Sequence, residues 1–185
     1  MGVQPPPGVL YLLVCGSPVA RDVGILVDLA QRDGWEVCVI TTPDGRRFVD
    51  LEALEEQTGH PVRSHYKNPG DSDLLPPPDA IIVAPATVNT INKWAAGIAD
   101  TYALGRLAEA TGRRVPVVVM PFVNQALAAN TVYAESLARL RRDGVLVLDG
   151  TPDAGGVRRG VAAHPAGTFD LETFPWAHAL AALAR

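Results

Sequence analysis

Cysteine is scarce in this chain: of 185 residues only two, Cys15 and Cys38, carry a thiol, and both sit in apolar segments that read as buried strands. Two thiols so placed offer no disulfide framework, which fits a reducing compartment. Charge is sparse as well, at 19% of residues and a net −4, and no block of like sign exceeds the arginine pairs at 46/47, 113/114, 141/142 and 158/159. Nucleic acid is therefore not expected as a partner. No run approaches the roughly 18 apolar residues that a membrane span needs. The opening MGVQPPPG has neither a basic nor an apolar segment, so no membrane contact is expected and the chain reads as cytoplasmic.

Several catalytic signatures are missing too. The first turn lacks the full GxGxxG spacing, which removes a dinucleotide fingerprint, and the absence of GxxxxGK(S/T) removes the usual P-loop hydrolases. There is no GxSxG elbow and no cysteine paired with a histidine as nucleophile and base. The four histidines, His60, His65, His164 and His178, share no spacing with cysteines or carboxylates, so no metal cluster is expected.

What is abundant is apolar residue, 48% of the chain, enough to bury a core and to favour one globular domain over 1–185. GVLYLLVCG is a continuous apolar run ending in glycine, the pattern of a parallel strand covered on both faces. PVARDVGILVDLAQRDG follows as a helix with Val19, Val23, Ile25, Leu26 and Leu29 largely on one side, closed by Gly34. WEVCVITT, AIIVA, VPVVVMP and VLVLDG read as further strands, and FVDLEALEEQTG, NTINKWAAGIADTYALGRLAEATG and QALAANTVYAESLARLRRDG as the helices between them. Strands alternating with helices predict an α/β fold, a Rossmann-like parallel sheet with helices on both faces in a single domain. The core spans about 8–150. The remainder, 151–185, reads as a Gly-, Pro- and Ala-rich flap to residue 174 and then a short C-terminal helix.

In such sheets ligands gather where strands end, so GSPV, TTPDGR, PATVNT and PFVN are the turns to weigh. Gly16 and Ser17 before a helix offer backbone N–H groups and a hydroxyl to an anion, although an N-cap serine accounts for them equally well. Thr42 opens an ordinary strand-exit turn, in which Arg46 and Arg47 are either phosphate partners or a solvated face. PATVNTINK is more informative. Thr87, Asn89, Thr90, Asn92 and Lys93 place five hydrogen-bonding groups in seven residues, where capping needs one side chain or two. The surplus predicts a polar ligand edge, with Gly97 admitting the close approach of another backbone or subunit.

These residues taken together, GS before a helix, a strand ending in threonine, PATVNTINKWAAGIAD and PFVN, resemble the homo-oligomeric flavin-containing cysteine decarboxylases. The likeness covers about 8–150, and its most specific part sets PATVNTINKWAAGIAD against that family's P(A/L)SANT(I/L)xKxAxGxxD. It implies FMN bound at a subunit interface in a homo-oligomer, a trimer or a dodecamer, with Gly16, Ser17, Thr42, Thr87, Val88, Asn89 and Thr90 at the flavin-contacting positions. It further implies that Asn124, the asparagine of PFVN, contacts a substrate carboxylate. The implied reaction acts on a cysteine-containing small molecule or a peptide C-terminus: FMN oxidises the thiol to a thioaldehyde, which loses carbon dioxide as an enethiolate.

The chain departs from the family's pattern in four places. Counting back from Pro85 by the family's spacing, the catalytic histidine falls on Asp71, which leaves His65 in the polar loop as the candidate base. The family's PxMNxxMW is PFVNQALA here. The flap carries DAGGVRRG where the coenzyme A branch has a cysteine, so coenzyme A synthesis is not implied. Asp44 stands beside the expected phosphate position, at a Coulomb cost on the order of 1 kcal/mol unless Arg46 or Arg47 offsets it. The alternatives are a non-catalytic or regulatory flavin-binding subunit, as when a family keeps its cofactor turn and loses its base, and a flavin-prenyltransferase-like enzyme.

Overall fold

The computed structural model describes residues 8–68, 70, 75–152 and 156–183. Five parallel strands form its sheet: β1 (Val9–Val14), β2 (Glu36–Thr41), β3 (Ala80–Ala86), β4 (Val117–Pro121) and the two-residue β5 (Leu146–Val147), in the order β2-β1-β3-β4-β5. β3 is the central strand with β1 and β4 beside it, and the continuous apolar composition seen in sequence follows from burial on both faces. One apolar cluster takes Tyr11, Leu13, Ile81 and Val83, and the other takes Leu10, Leu12, Ile82 and Ala84.

Helices cover both faces. α3 (Val88–Ala95), α4 (Tyr102–Arg113) and α6 (Thr131–Arg142) pack on the first cluster; α1 (Gly24–Arg32), α2 (Leu51–Thr58) and α7 (Trp176–Leu183) pack on the second. Leu26 and Val27 are buried in α1, but Ile25 is 51% exposed, so the apolar stripe is narrower than the sequence implied. Among the described residues no helix is long and apolar enough to cross a membrane.

Two segments that read as single helices are each broken in two. The first divides at Gly97, which has φ 76° and closes α3 in a Schellman motif: Gly97 N donates to Trp94 O at 2.9 Å and Ile98 N to Lys93 O at 2.9 Å. Glycine is required there by its left-handed backbone, and nothing lies within 4 Å of the position its Cβ would take. Thr101 then starts α4 by accepting from Leu104 N at 3.2 Å. The second divides after the short α5 (Gln125–Ala128), where Asn130 caps α6 by accepting from Val132 N at 2.9 Å. The stretch read as a flap contains more structure than composition indicated. An antiparallel hairpin of β6 (Asp149–Pro152) and β7 (Arg158–Gly160) leads to a 3-10 turn, Leu171–Thr173, and then to α7, whose Ala179 is fully buried.

Candidate functional site

The strand order reverses between β1 and β3: from β1 the chain moves outward to β2, and from β3 it moves the other way to β4 and β5. At such a reversal the connections leave in opposite directions and open a crevice beyond the strands' carboxyl ends. A cleft of about 330 Å³ lies there, lined by Gly16, Thr42, Pro43, Asp44, Thr87, Asn89, Thr90, Lys93, Thr101 and Leu104. That volume suits a small-molecule site. A larger hollow of about 720 Å³ lies at the opposite end, around Val115–Val117 and Arg142–Val145, and meets none of the candidate site residues.

Each wall has a local cause. Ser17 is extended (φ −152°, ψ 147°) at the N-cap of the 3-10 turn Pro18–Asp22, yet its side chain makes no capping bond, and its Oγ is buried without a partner. The capping account of Ser17 therefore does not hold. Thr42 folds its turn back over the end of β1: its N–H donates to Val14 O at 2.9 Å, and its Oγ1 accepts from Gly45 N at 3.0 Å. A Cβ at Gly45 would stand 2.5 Å from Val14 O, so only glycine admits this approach. Asp44 pairs with Arg47 at 2.8 Å, while Arg46 donates to Ser64 Oγ at 3.3 Å. Arg47 is thus the offset to the Asp44 charge, a modest one because both side chains are exposed.

The third wall is the PATVNTINK turn. Thr87 is the N-cap of α3 but makes no side-chain capping bond; its Oγ1 instead meets Thr90 Oγ1 at 3.4 Å, and Cys15 Sγ donates to the same Thr90 oxygen at 3.3 Å. Asn89 is exposed, Val88 leans on the first apolar cluster, and Lys93 is held by Asp100 at 2.6 Å. The first backbone N–H groups of α3, at the turn whose Thr87, Asn89 and Thr90 line the crevice, have no helical partners, which with the helix dipole favours an anion.

The candidate base and carboxylate contact lie outside this lining. Arg63 extends the sheet beyond β2 by a parallel bridge to Ile40, and His65 follows it, exposed, with Nδ1 2.8 Å from Ser64 Oγ. Asp71 lies outside the described residues. Asn124 stands at the exit of β4, where its Oδ1 accepts from Leu127 N at 2.9 Å and caps α5.

A profile of the family described as flavoprotein matches residues 8–163. The chain belongs to the flavoprotein family. This flavoprotein aligns at 30% identity over 142 residues with the coenzyme A biosynthesis bifunctional protein CoaBC of Vibrio vulnificus, covering 74% of this chain and 35% of that protein. It thus spans about a third of the length of the curated relatives it matches. Among solved structures it resembles EpiD, the epidermin biosynthesis protein from Staphylococcus aureus, at TM-score 0.63 and 27% identity, over 85% of this chain and 95% of the other. It also superposes on the FMN-dependent cysteine decarboxylase SpaF at TM-score 0.67 and 22% identity, over 95% and 96%.

The residues present fit a flavin. Gly16, Thr42, Thr87, Asn89 and Thr90 put glycine backbone, hydroxyls and an amide side chain around one crevice, and Ser17, next in the chain to Gly16, has a buried Oγ with no partner. The expectation of a flavin holds at the level of the family. Lys93, Thr101 and Leu104 line the crevice as well; the sequence reading noted Lys93 but missed Thr101 and Leu104, because only the break at Gly97 turns the chain so that α4 starts beside α3.

Proposed function

We propose that this flavoprotein binds FMN in the crevice between β1 and β3, with Gly16, Ser17, Thr42, Thr87, Val88, Asn89 and Thr90 holding it. We further propose that it catalyses oxidative decarboxylation of a cysteine-containing small molecule or peptide C-terminus. The observation that carries the reading is the coincidence of the crevice with the turn PATVNT: Thr87, Asn89 and Thr90 line it together with Gly16, and Ser17, the residue after Gly16, has a buried Oγ without a protein partner. When bound, FMN supplies the two-electron oxidation of the thiol-bearing carbon, after which carbon dioxide leaves.

The chain's own residues have distinct tasks in this reading. Thr90 Oγ1 already receives Cys15 Sγ and lies against Thr87 Oγ1, so its own proton is free to point into the crevice. Asn124 uses Oδ1 for its cap, which leaves its amide Nδ2 to donate to a carboxylate. His65, set by Ser64, is the candidate base from the polar loop. By the family resemblance the assembly is a homotrimer or a dodecamer with the flavin between subunits, which light scattering on the purified protein measures directly.

The test is colour and carbon dioxide. The purified protein is expected to be yellow or to take up FMN on titration, and to bleach without oxygen when mixed with a peptide ending in cysteine, releasing carbon dioxide. A protein that binds no FMN removes the whole reading. One that binds FMN but bleaches with no thiol favours a non-catalytic flavin-binding subunit, the alternative supported by Asp71 at the expected histidine position.

A further inference from the structure

His164 lies one residue past the stretch matched by the family profile, and no role attaches to it so far. The structure brings it against Asn124. His164 pairs in parallel with the exit of β4, its N–H toward Val123 O at 3.4 Å and its carbonyl accepting from Gln125 N at 2.9 Å, which sets it opposite Asn124. Residues paired across a ladder project to the same side, as do alternate residues of one strand. Phe122, Asn124 and His164 therefore share a side, and the ring contacts agree: the His164 ring lies 4.6 Å from Phe122 and 5.1 Å from Phe169.

The hydrogen bonds of this pair fix what each presents. His164 Nδ1 is 3.0 Å from Pro165 O, and a carbonyl only accepts, so Nδ1 carries the proton and the neutral ring has its lone pair on Nε2. Nε2 is buried and has no partner. Asn124 offers its Nδ2 as a donor, as above. A donor on one residue of the bridge and an unsatisfied acceptor on the other match a ligand that carries an acceptor near a proton-bearing group, and a carboxylate near a thiol is one such pair.

We propose that His164 accepts the thiol proton of a cysteine carboxy-terminus whose carboxylate is held by Asn124. In the step the S–H bond breaks with its electrons left on sulfur, the proton bonds to Nε2, and a thiolate and an imidazolium result. The Pro165 carbonyl at Nδ1 and the faces of Phe122 and Phe169 stabilise the cation. The inference rests on the cysteine-substrate reading above and places the proton acceptor at His164 instead of His65.

Nitrogen NMR of FMN-loaded protein carrying 15N-histidine tests it, with H164N used to assign the His164 signals. A pentapeptide ending in cysteine is expected to move the Nε2 resonance from the bare toward the protonated position, and the same peptide ending in serine is not. H164N is expected to slow anaerobic bleaching by on the order of 100-fold while FMN affinity and Tm are retained, whereas H60N, at the far end of β2, changes neither rate nor spectrum. An unmoved Nε2 resonance with cysteine peptide bound overturns the proposal, as does an H164N protein that bleaches within about threefold of the parent rate; the cysteine-substrate reading then still stands. If the parent protein neither binds nor is bleached by the peptide, both fall together.

Discussion

Cys15 Sγ lies 3.3 Å from Thr90 Oγ1, so the buried residue just past β1 is tied to the first turn of α3 across the point where the strand order reverses. With Thr87 Oγ1 also at 3.4 Å, the Thr90 oxygen is occupied as an acceptor and its proton is directed elsewhere. Thr90→Val removes that donor while keeping the shape. The expected outcome is FMN affinity weaker by about tenfold or more, the equivalent of ~1.4 kcal/mol, with Tm changed little. Cys15→Ser, which preserves a donor, is expected to hold affinity near the parent value. Fluorescence titration of FMN measures both.

Thr87→Asp and Asn89→Asp place a carboxylate at the rim, where the proposed ligand brings a phosphate dianion and an electron-rich ring. Either change is expected to yield a colourless protein, and Asn89→Ala an intermediate one. Full flavin occupancy in the aspartate variants, read from the visible absorbance of the purified proteins, places the cofactor elsewhere.

Gly45→Ala tests whether the second wall is set by contact or by sequence alone. The added Cβ meets backbone at Val14 O, 2.5 Å away, which cannot move without disturbing β1. Overpacking of this kind costs about 1–3 kcal/mol, and the expected outcome is a lower Tm together with weaker FMN binding. Gly59→Ala, whose Cβ would have nothing within 4 Å, is expected to lower Tm through its left-handed φ of 71° and to leave FMN binding unchanged.

Asp149 carries a pH-dependent share of stability. Burial alone raises its carboxyl, but hydrogen bonds from Thr151 and from Arg141, at 2.8 Å, outweigh burial and hold it below the ordinary carboxylate range. A depressed folded value means that the contribution is present above the ordinary aspartate value of about 3.9 and is lost as pH falls through the lower folded one. Asp149→Asn is therefore expected to destabilise the protein by ~1–2 kcal/mol near neutral pH. The difference should shrink as the pH drops below about 4, as read from denaturation midpoints of both proteins across that range.

Both thiols are expected to be silent in the folded protein. Burial raises the Cys15 thiol above its ordinary range, and burial with the Glu36 charge pushes Cys38 up to about 12. A thiol held protonated and out of solvent is a poor nucleophile. Ellman's reagent at pH 8 is expected to find neither cysteine in the native state and both after guanidinium is added; rapid labelling of native Cys15 shows that the β1 exit opens.

The sequence by itself determined the parallel sheet and the turns that line the crevice. Strands buried on both faces leave uninterrupted apolar runs, and PATVNTINK carries more polar groups than a helix start consumes, so strand identity and the polar edge are both local properties of the chain. Tertiary structure decided the rest. Gly97 looks like a residue that admits a neighbour, and only its closing hydrogen bonds to Trp94 and Lys93 show it to be a helix stop. Ser17 looks like a cap, and only the folded structure shows that its hydroxyl makes no capping bond. Thr101 and Leu104 join the crevice, and His164 meets Asn124 from forty residues away in sequence, through backbone pairing that no periodicity encodes. Spacing along a chain specifies which residues share a strand or a helix face; which turns and tails meet beyond the strand ends is set by strand order and loop pairing, and those exist only once the chain has folded.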